Sequence, residues 1–138
     1  MSVTSRPDIP RHFSTFLAFD YGAKRTGVAV GNRMMRTATA QATIRAEGKA
    51  RLEAAAQRVG EWQPDALVIG VPFHPDGAPH DNTERARRFG RQLAARVKLP
   101  VYEVDERYST TEALAGGAKD ADAGAACIIL EQFLRSIE

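Results

Sequence analysis

The chain has 138 residues, of which 43% are hydrophobic and 26% are charged, a composition typical of one globular domain. No apolar run approaches the roughly 20 residues that span a bilayer, residues 1–10 lack the apolar core of a secretory signal, and the single cysteine excludes an internal disulfide framework. These features predict a cytoplasmic protein with no membrane partner, while the formal net charge of +2 excludes little.

The beginning of the chain predicts a tail followed by a hairpin. Residues 1–14 hold two prolines and scattered polar groups and are predicted to form a flexible N-terminal tail, with a single domain over residues 15–138. The apolar run 16–19 ends in Asp20 and predicts the first strand. Residues 26–30 predict a second strand, joined to the first through a glycine-containing turn.

Residues 37–44 predict a third strand, with a weaker pattern than the first two. After it the hydrophobic period changes from that of a strand to that of a helix. Apolar residues then recur with helical spacing until Pro64 ends the helix. The predicted buried stripe of this helix consists of Leu52, Ala55, Ala56, Val59 and Trp62. Residues 66–69 form a compact apolar run that predicts a fully buried strand.

The second half of the chain alternates helices and strands. Asp81 and Glu84 have the spacing of a capping box and predict the start of a helix, and residues 101–104 predict a strand. A second capping box predicts a short helix just after Arg107. The last helix has an apolar stripe of Ala125, Ala126, Ile129, Leu130, Phe133, Leu134 and Ile137. Hairpins followed by alternating helices and strands predict an α/β fold, a mixed sheet flanked by helices.

A basic stripe lies on the helix between Glu84 and residue 98. Six cations stand there against that one acid: Arg85, Arg87, Arg88, Arg91, Arg96 and Lys98. A stripe of this kind can follow a phosphate backbone. Charge alone favours the simpler interpretation of a solvated helix face.

Three acids stand where predicted elements meet. Asp20 closes the first strand, Glu106 follows the last strand, and Asp122 opens the last helix. Together they could hold Mg²⁺ or Mn²⁺, which prefer carboxylate oxygens. Taken singly, Glu106 is better explained as a surface residue and Asp122 as a helix cap, so the pattern alone predicts an α/β domain with a candidate acidic site.

Two further candidates are weaker. His74 and His80 lie near two aspartates in one loop, but their spacing matches no standard metal site, and a polar loop is the favoured interpretation. Cys127 has small and apolar neighbours on the last helix and is predicted to be buried and inert.

Four motifs occur together in the order typical of one family. They are Asp20-Tyr-Gly-Ala-Lys-Arg-Thr-Gly-Val-Ala-Val30, Gly70-Val-Pro72 with Asp76-Gly77, Asp105-Glu-Arg-Tyr-Ser-Thr-Thr-Glu-Ala113, and Asp122-Ala-Gly-Ala-Ala-Cys-Ile-Ile-Leu130. With them the sequence resembles the YqgF/RuvX proteins, relatives of the RuvC Holliday junction resolvases, over about residues 15–135. The resemblance implies an RNase H-like fold with a mixed five-stranded sheet and helices on both faces.

The resemblance also implies a metal-dependent nuclease that acts in maturation of pre-16S ribosomal RNA. By motif position, Asp20, Glu106 and Asp122 would be the catalytic acids and the ligands of Mg²⁺ or Mn²⁺ in a two-metal hydrolysis, with water as the nucleophile. Asp105 is less favoured because neighbouring strand residues point to opposite faces. The expected nucleic-acid-binding residues are Lys24, Arg25, Arg85, Arg87, Arg88, Arg91 and Arg107.

The sequence departs from its relatives in two places. No acid stands at residues 70–72, where RuvC-type resolvases carry one, so Glu106 must substitute from the next strand. The connection 116–121 is short and carries little charge, which leaves Asp120 an alternative to Asp122. Two other functions stay open: a Holliday junction resolvase, which requires a symmetric dimer, and a catalytically weak factor that binds nucleic acid or the ribosome. A monomer and a homodimer are both compatible with the sequence.

Overall fold

The computed structural model describes residues 9–105 and 121–137, with backbone only for 121–123. Five strands form one sheet in the order β3-β2-β1-β4-β5. The strands are β1 (Thr15–Tyr21), β2 (Thr26–Asn32), β3 (Ala38–Ile44), β4 (Ala66–Val71) and β5 (Val101–Asp105). The helices are α1 (Gly48–Trp62), α2 (Thr83–Val97) and α3 (Ala121–Ser136). The helix predicted after Arg107 falls outside the described residues.

The sheet is mixed, as the sequence predicts. β1 pairs antiparallel with β2, and β2 pairs antiparallel with β3. β1 pairs parallel with β4, and β4 pairs parallel with β5. Short turns suffice for the antiparallel pairs, whereas the parallel pairs need the crossovers that α1 and α2 provide.

The central strand β1 is buried on both faces by two separate core layers. Phe16 and Ala18 belong to the layer beneath α3. Leu17 and Phe19 belong to the layer beneath α1 and α2. Because successive strand residues point to opposite faces, a strand covered on both sides is apolar at every position, which explains the continuous run at 16–19. The expected helices on both faces are therefore confirmed.

The turn between β1 and β2 is closed by a backbone hydrogen bond. The N–H of Gly22 donates to the carbonyl oxygen of Arg25 at 2.8 Å. A Cβ atom at Gly22 would also lie 2.8 Å from that oxygen, closer than real Cβ contacts allow. Glycine at this position therefore lets the hairpin turn back tightly, directly after Asp20.

The predicted capping box at the start of α2 is wrong. Asn82 is the N-cap and makes no side-chain cap hydrogen bond, and Asp81 lies outside the helix. The buried Thr83 hydroxyl accepts a hydrogen bond from the N–H of His80 at 2.7 Å and donates one to the carbonyl of Pro72. This hydroxyl ties the helix start to the end of β4, so Glu84 is left to pair with a cation on the helix surface.

The predicted stripe of α1 is correct in the middle and wrong at its end. Ala55 and Val59 are buried, but Trp62 is 42% exposed. Trp62 is the last helical residue and lines an open pocket with Met35, beyond the part of the helix that covers the sheet. Arg51 is buried instead, with 2% of its surface exposed.

The described part of the predicted tail packs against the domain. Ile9 is buried in the core layer beneath α3, and Phe13 packs on the same layer. The flexible segment expected over 1–14 therefore does not extend through residues 9–14, because this stretch has its own apolar anchors. Across 9–105 and 121–137, no helix is both long and apolar enough to cross a membrane.

Candidate nuclease site

Asp20 lies near the end of the central strand and is only 8% exposed. Its strand neighbours Phe19 and Tyr21 belong to the layer beneath α1 and α2. Strand alternation therefore places Asp20 on the opposite face, with Phe16 and Ala18 beneath α3. A carboxylate so close to a core needs a compensating partner, which makes it a candidate site residue.

The residues paired with Asp20 on the two adjacent strands are both glycines. Asp20 pairs with Gly27 on β2 and with Gly70 on β4. Paired strand residues carry their Cβ atoms about 5 Å apart, so a side chain at either position would stand beside the carboxylate. The two glycines keep both flanks of Asp20 clear. Sequence reasoning missed this arrangement, although both glycines lie in the quoted motifs.

The same row of paired residues continues into β5. Gly70 pairs with Val104, which is buried beneath α3. Asp105 is the next residue, so it lies on the face beneath α2, opposite to Asp20. This position agrees with the expectation that Asp105 takes no part in the site. Glu106 and Arg107 lie outside the described residues.

α3 covers the face of the sheet on which Asp20 lies. Phe133 contacts Phe16 at the beginning of β1, with ring centroids 5.1 Å apart. Ala126, seven residues earlier in the helix, is buried in the layer that also contains Ala18. About 16 Å of helix separate Phe133 from Asp122, and about 13 Å of strand separate Phe16 from Asp20. These lengths are similar, and the position of Asp122 beside Asp20 stays a prediction.

The chemistry of Asp20 fits a divalent metal ion. Mg²⁺ and Mn²⁺ take carboxylate oxygens, and the cleared flanks leave room for further ligands. The described side chains alone form no group of three His, Cys, Asp or Glu residues that could hold a metal. A site with three protein ligands at Asp20 would therefore include residues outside that part of the chain.

The cations predicted to bind nucleic acid fall into three groups. Lys24 and Arg25 are exposed in the turn that follows Asp20. Arg87 pairs with Glu103 at 3.2 Å, and Arg91 pairs with Glu84 at 2.8 Å. The third group, Arg85 and Arg88, lines a groove between α1 and α2. The stripe is therefore not uniform, since part of it is neutralised by acids on its own surface.

The two weaker candidates have structural explanations. The His74 and His80 rings lie 5.1 Å apart, and His80 Nδ1 accepts a hydrogen bond from the N–H of Asn82. Burial raises the pKa of the Cys127 thiol above its usual value, and the carboxylate of Glu131 raises it further. Cys127 is only partly buried, so the predicted burial is wrong, but a raised thiol pKa means little thiolate at neutral pH, in keeping with an inert residue.

Comparison with known proteins identifies close relatives. A family model described as "RuvX: Holliday junction resolvase" matches residues 14–136. A Polaromonas protein named "Putative pre-16S rRNA nuclease" is 67% identical over 137 residues, covering 99% of each chain. An Albidiferax ferrireducens protein of the same name is 70% identical over 129 residues, covering 94% of this chain and 83% of the relative.

A solved structure shares the architecture. The Thermus thermophilus RuvC, solved in complex with a Holliday junction substrate, matches with a TM-score of 0.54 and 17% identity. The match covers 89% of this chain and 94% of that one. The predicted RNase H-like fold is confirmed.

Proposed function

The chain belongs to the RuvX family, and on that premise we propose that it is a nuclease that hydrolyses phosphodiester bonds during maturation of pre-16S ribosomal RNA. The proposal is carried by one observation: a nearly buried carboxylate, Asp20, on the central strand with glycine on both flanks. The names of the relatives support the substrate.

Asp20, Glu106 and Asp122 are proposed to hold Mg²⁺ or Mn²⁺. Glu106 follows the last residue of β5, and Asp122 belongs to the first turn of α3. Two such ions, when bound, activate a water molecule and stabilise the leaving oxygen of the phosphodiester. Asp20 contributes an oxygen donor in a place with little water, where its attraction for a cation is stronger than at the surface.

The paired strands on either side of Asp20 fix the position of its backbone. Its backbone lies between two paired strands, so the position of the carboxylate is fixed before a substrate arrives. Lys24 and Arg25 belong to the turn that follows β1, which the hydrogen bond between Gly22 and Arg25 closes. We assign these two cations and Arg107 to the phosphates next to the bond that is cut, since guanidinium and ammonium groups bind phosphate oxygens well.

A cleavage assay tests this function. A pre-16S ribosomal RNA fragment and a four-way DNA junction would each be incubated with Mg²⁺, with Mn²⁺ and with EDTA, using the native chain and Asp20→Asn. We expect cleavage of the RNA in the presence of metal. The rate should fall by at least about a hundredfold in the variant, because a carboxylate ligand contributes several kcal/mol to transition-state stabilisation.

Other outcomes would select other functions. Equal activity of the native chain and Asp20→Asn, with unchanged circular dichroism, would remove Asp20 from the mechanism. Paired cuts made only in the junction would favour the resolvase, which the description of the family model also names. Binding of the RNA without any cleavage would favour a factor that works by recognition.

A further inference from the structure

A basic groove lies between α1 and α2, on the face of the sheet opposite to Asp20. Its volume is about 440 Å³. It is lined by Tyr21, Gly48, Lys49, Arg51, Leu52, Arg85, Arg88, Phe89 and Gln92. Four of these residues are cations, and within the described part of the chain no carboxylate lines the groove. The groove therefore presents positive charge over a floor of two aromatic rings.

Arg51 is the unusual member of this set because it is a buried cation. Its Nε donates to the carbonyl of Ala46 at 3.1 Å, and its Nη2 donates to the carbonyl of Ala23 at 2.6 Å. Its guanidinium carbon lies 4.1 Å from the centre of the Tyr21 ring. These contacts hold the side chain in place, but among the described residues its Nη1 has no hydrogen-bond acceptor. Within residues 9–105 and 121–137, its positive charge is stabilised by carbonyl dipoles and an aromatic ring, with no ion pair to a carboxylate.

Two acids that are next in sequence to groove residues are paired with other cations. Glu53 binds both terminal nitrogens of Arg96 at 2.7 and 2.9 Å. Glu84 pairs with Arg91 at 2.8 Å. The hydrogen bonds from the Arg96 guanidinium lower the pKa of the Glu53 carboxyl, so this side chain is ionised and already paired. Lys49, Arg85 and Arg88 are exposed at the groove, where they attract anions from solution, although the charges of Glu53 and Glu84 also act on Lys49 and Arg88 respectively.

The backbone at the start of α1 adds to this potential. Gly48 and Lys49 line the groove and belong to the first turn, whose N–H groups have no partner within the helix. The N-cap Glu47 makes no side-chain cap hydrogen bond, and the first turn has no acidic residue. The positive end of the helix dipole acts in the same direction as the basic side chains, whereas the exposed carboxylate of Glu47 acts against them.

The groove also adjoins the proposed cleavage centre. Tyr21, part of its floor, is the residue after Asp20, and consecutive Cα atoms lie about 3.8 Å apart. The two sites thus lie on opposite faces of the sheet, at the end of the central strand β1. An RNA strand bound at Asp20 would pass around this end of the sheet to continue into the groove.

We propose that this groove is a second phosphate-binding site, which holds the RNA backbone a few nucleotides away from the bond that is cut. The substrate class rests on the proposed function. Arg85 and Arg88 bind phosphate oxygens at the rim, while Arg51 supplies fixed positive charge beneath them. Such contacts carry no base information, so the groove raises affinity for the strand without selecting its sequence.

Equilibrium binding tests the proposal. Asp20→Asn serves as the background that does not cut, and fluorescence anisotropy follows a labelled single-stranded RNA of twenty nucleotides over a range of salt concentrations. Arg85→Gln and Arg88→Gln are each compared with Arg135→Gln, a matched change of one exposed charge in the last turn of α3. Both groove positions are exposed, so the variants should fold.

We expect each groove variant to bind about tenfold more weakly, as loss of a charged hydrogen bond predicts. The slope of log affinity against log salt should flatten by about 0.7 for each lost contact with a single strand. The control Arg135→Gln should bind like the background. Unchanged binding in the groove variants, an equal loss in the control, or no binding of RNA by the background would each overturn the proposal.

The binding assay also separates this proposal from the proposed function. If the groove variants lose affinity while the native chain cuts no RNA, the groove is supported and the nuclease is not. If the native chain cuts RNA and the groove variants bind it normally, the nuclease is supported and the groove is not.

Discussion

Asp65 joins the segment before β1 to the start of β4 by its side chain. Its Oδ2 accepts hydrogen bonds from the N–H groups of Ser14 at 2.7 Å and Thr15 at 3.0 Å. The bond from Ser14 is the largest cause of a lowered pKa for this carboxyl, and the bond from Thr15 and the charge of His12 act in the same direction. The charged form is thus favoured by the folded state.

Asp65→Asn should therefore lower stability in a pH-dependent way. The folded pKa is depressed, so the contribution of Asp65 is complete above the unfolded pKa of about 4 and is lost as pH falls through that value towards the folded one. We expect a loss of about 1 kcal/mol at pH 7, since the amide keeps weaker bonds to the same groups. Urea unfolding of both chains between pH 3 and pH 7 measures the difference. A difference that does not shrink below about pH 4, or one equal to that of the exposed control Asp81→Asn, would contradict this assignment.

At the scale of residues, sequence patterns identify Asp20 as a candidate site residue but do not predict which residues surround it. A carboxylate that ends an apolar strand is visible in the sequence. Its pairing with Gly70 is not, because the register of a parallel neighbour is set by packing of the crossover and not by a local turn. The burial of Arg51 is also invisible locally, since its acceptors Ala23 and Ala46 are brought together only by the fold.

At the scale of elements, α3 is the main support of the sheet on the side of Asp20. Phe133 is fully buried, with its ring edge against Phe16 at 5.1 Å and stacked on Tyr102 at 5.6 Å. It thus links the helix to the central strand and to the edge strand β5. Glu131 adds a link to the other edge by accepting a hydrogen bond from the N–H of Ala38.

Phe133→Ala should destabilise the chain by about 3–5 kcal/mol, because it opens a cavity between α3 and the sheet. Urea unfolding followed by circular dichroism measures the change. Arg135→Ala, an exposed substitution on the same helix, should alter stability by less than about 0.5 kcal/mol. A loss for Phe133→Ala no larger than that of Arg135→Ala would show that α3 does not anchor the core.

Hydrophobic periodicity predicts the buried faces of the helices well and the residues at which the helices begin and end poorly. The stripe of α3 is confirmed, since Ala125, Ile129 and Phe133 are among its buried residues. The capping box is wrong because the Thr83 hydroxyl binds the carbonyl of Pro72, a contact made across the fold. Patterns describe the face that a helix buries, whereas helix ends depend on which polar groups the rest of the fold presents.

At the scale of the whole molecule, the net charge is less informative than the distribution of charge between the two faces of the sheet. The formal net charge is only +2, yet the face covered by α1 and α2 carries the groove with its cations. The opposite face carries Asp20. The bidentate pair of Arg96 with Glu53 joins α1 to α2 across this basic face. Neither the groove nor this pair can be read from a local stretch of sequence, because their residues lie in separate helices.

Binding of the proposed metal should stabilise the native chain. At ten times the dissociation constant, a ligand bound only by the folded state contributes about 1.4 kcal/mol. We expect the melting temperature to rise by a few degrees in Mg²⁺ or Mn²⁺ relative to EDTA, measured by calorimetry at equal ionic strength. Asp20→Asn should lose this rise. An equal rise in the variant would mean that the ions bind elsewhere.

The half-buried Cys127 affects how copies of this chain can associate. It is the only cysteine, and its raised pKa keeps it in the thiol form, which oxidises and exchanges slowly. Covalent linkage of two chains through Cys127 is therefore disfavoured in air as well as in reductant. A dimer that survives without reducing agent would be held by its surfaces, and dilution would dissociate it.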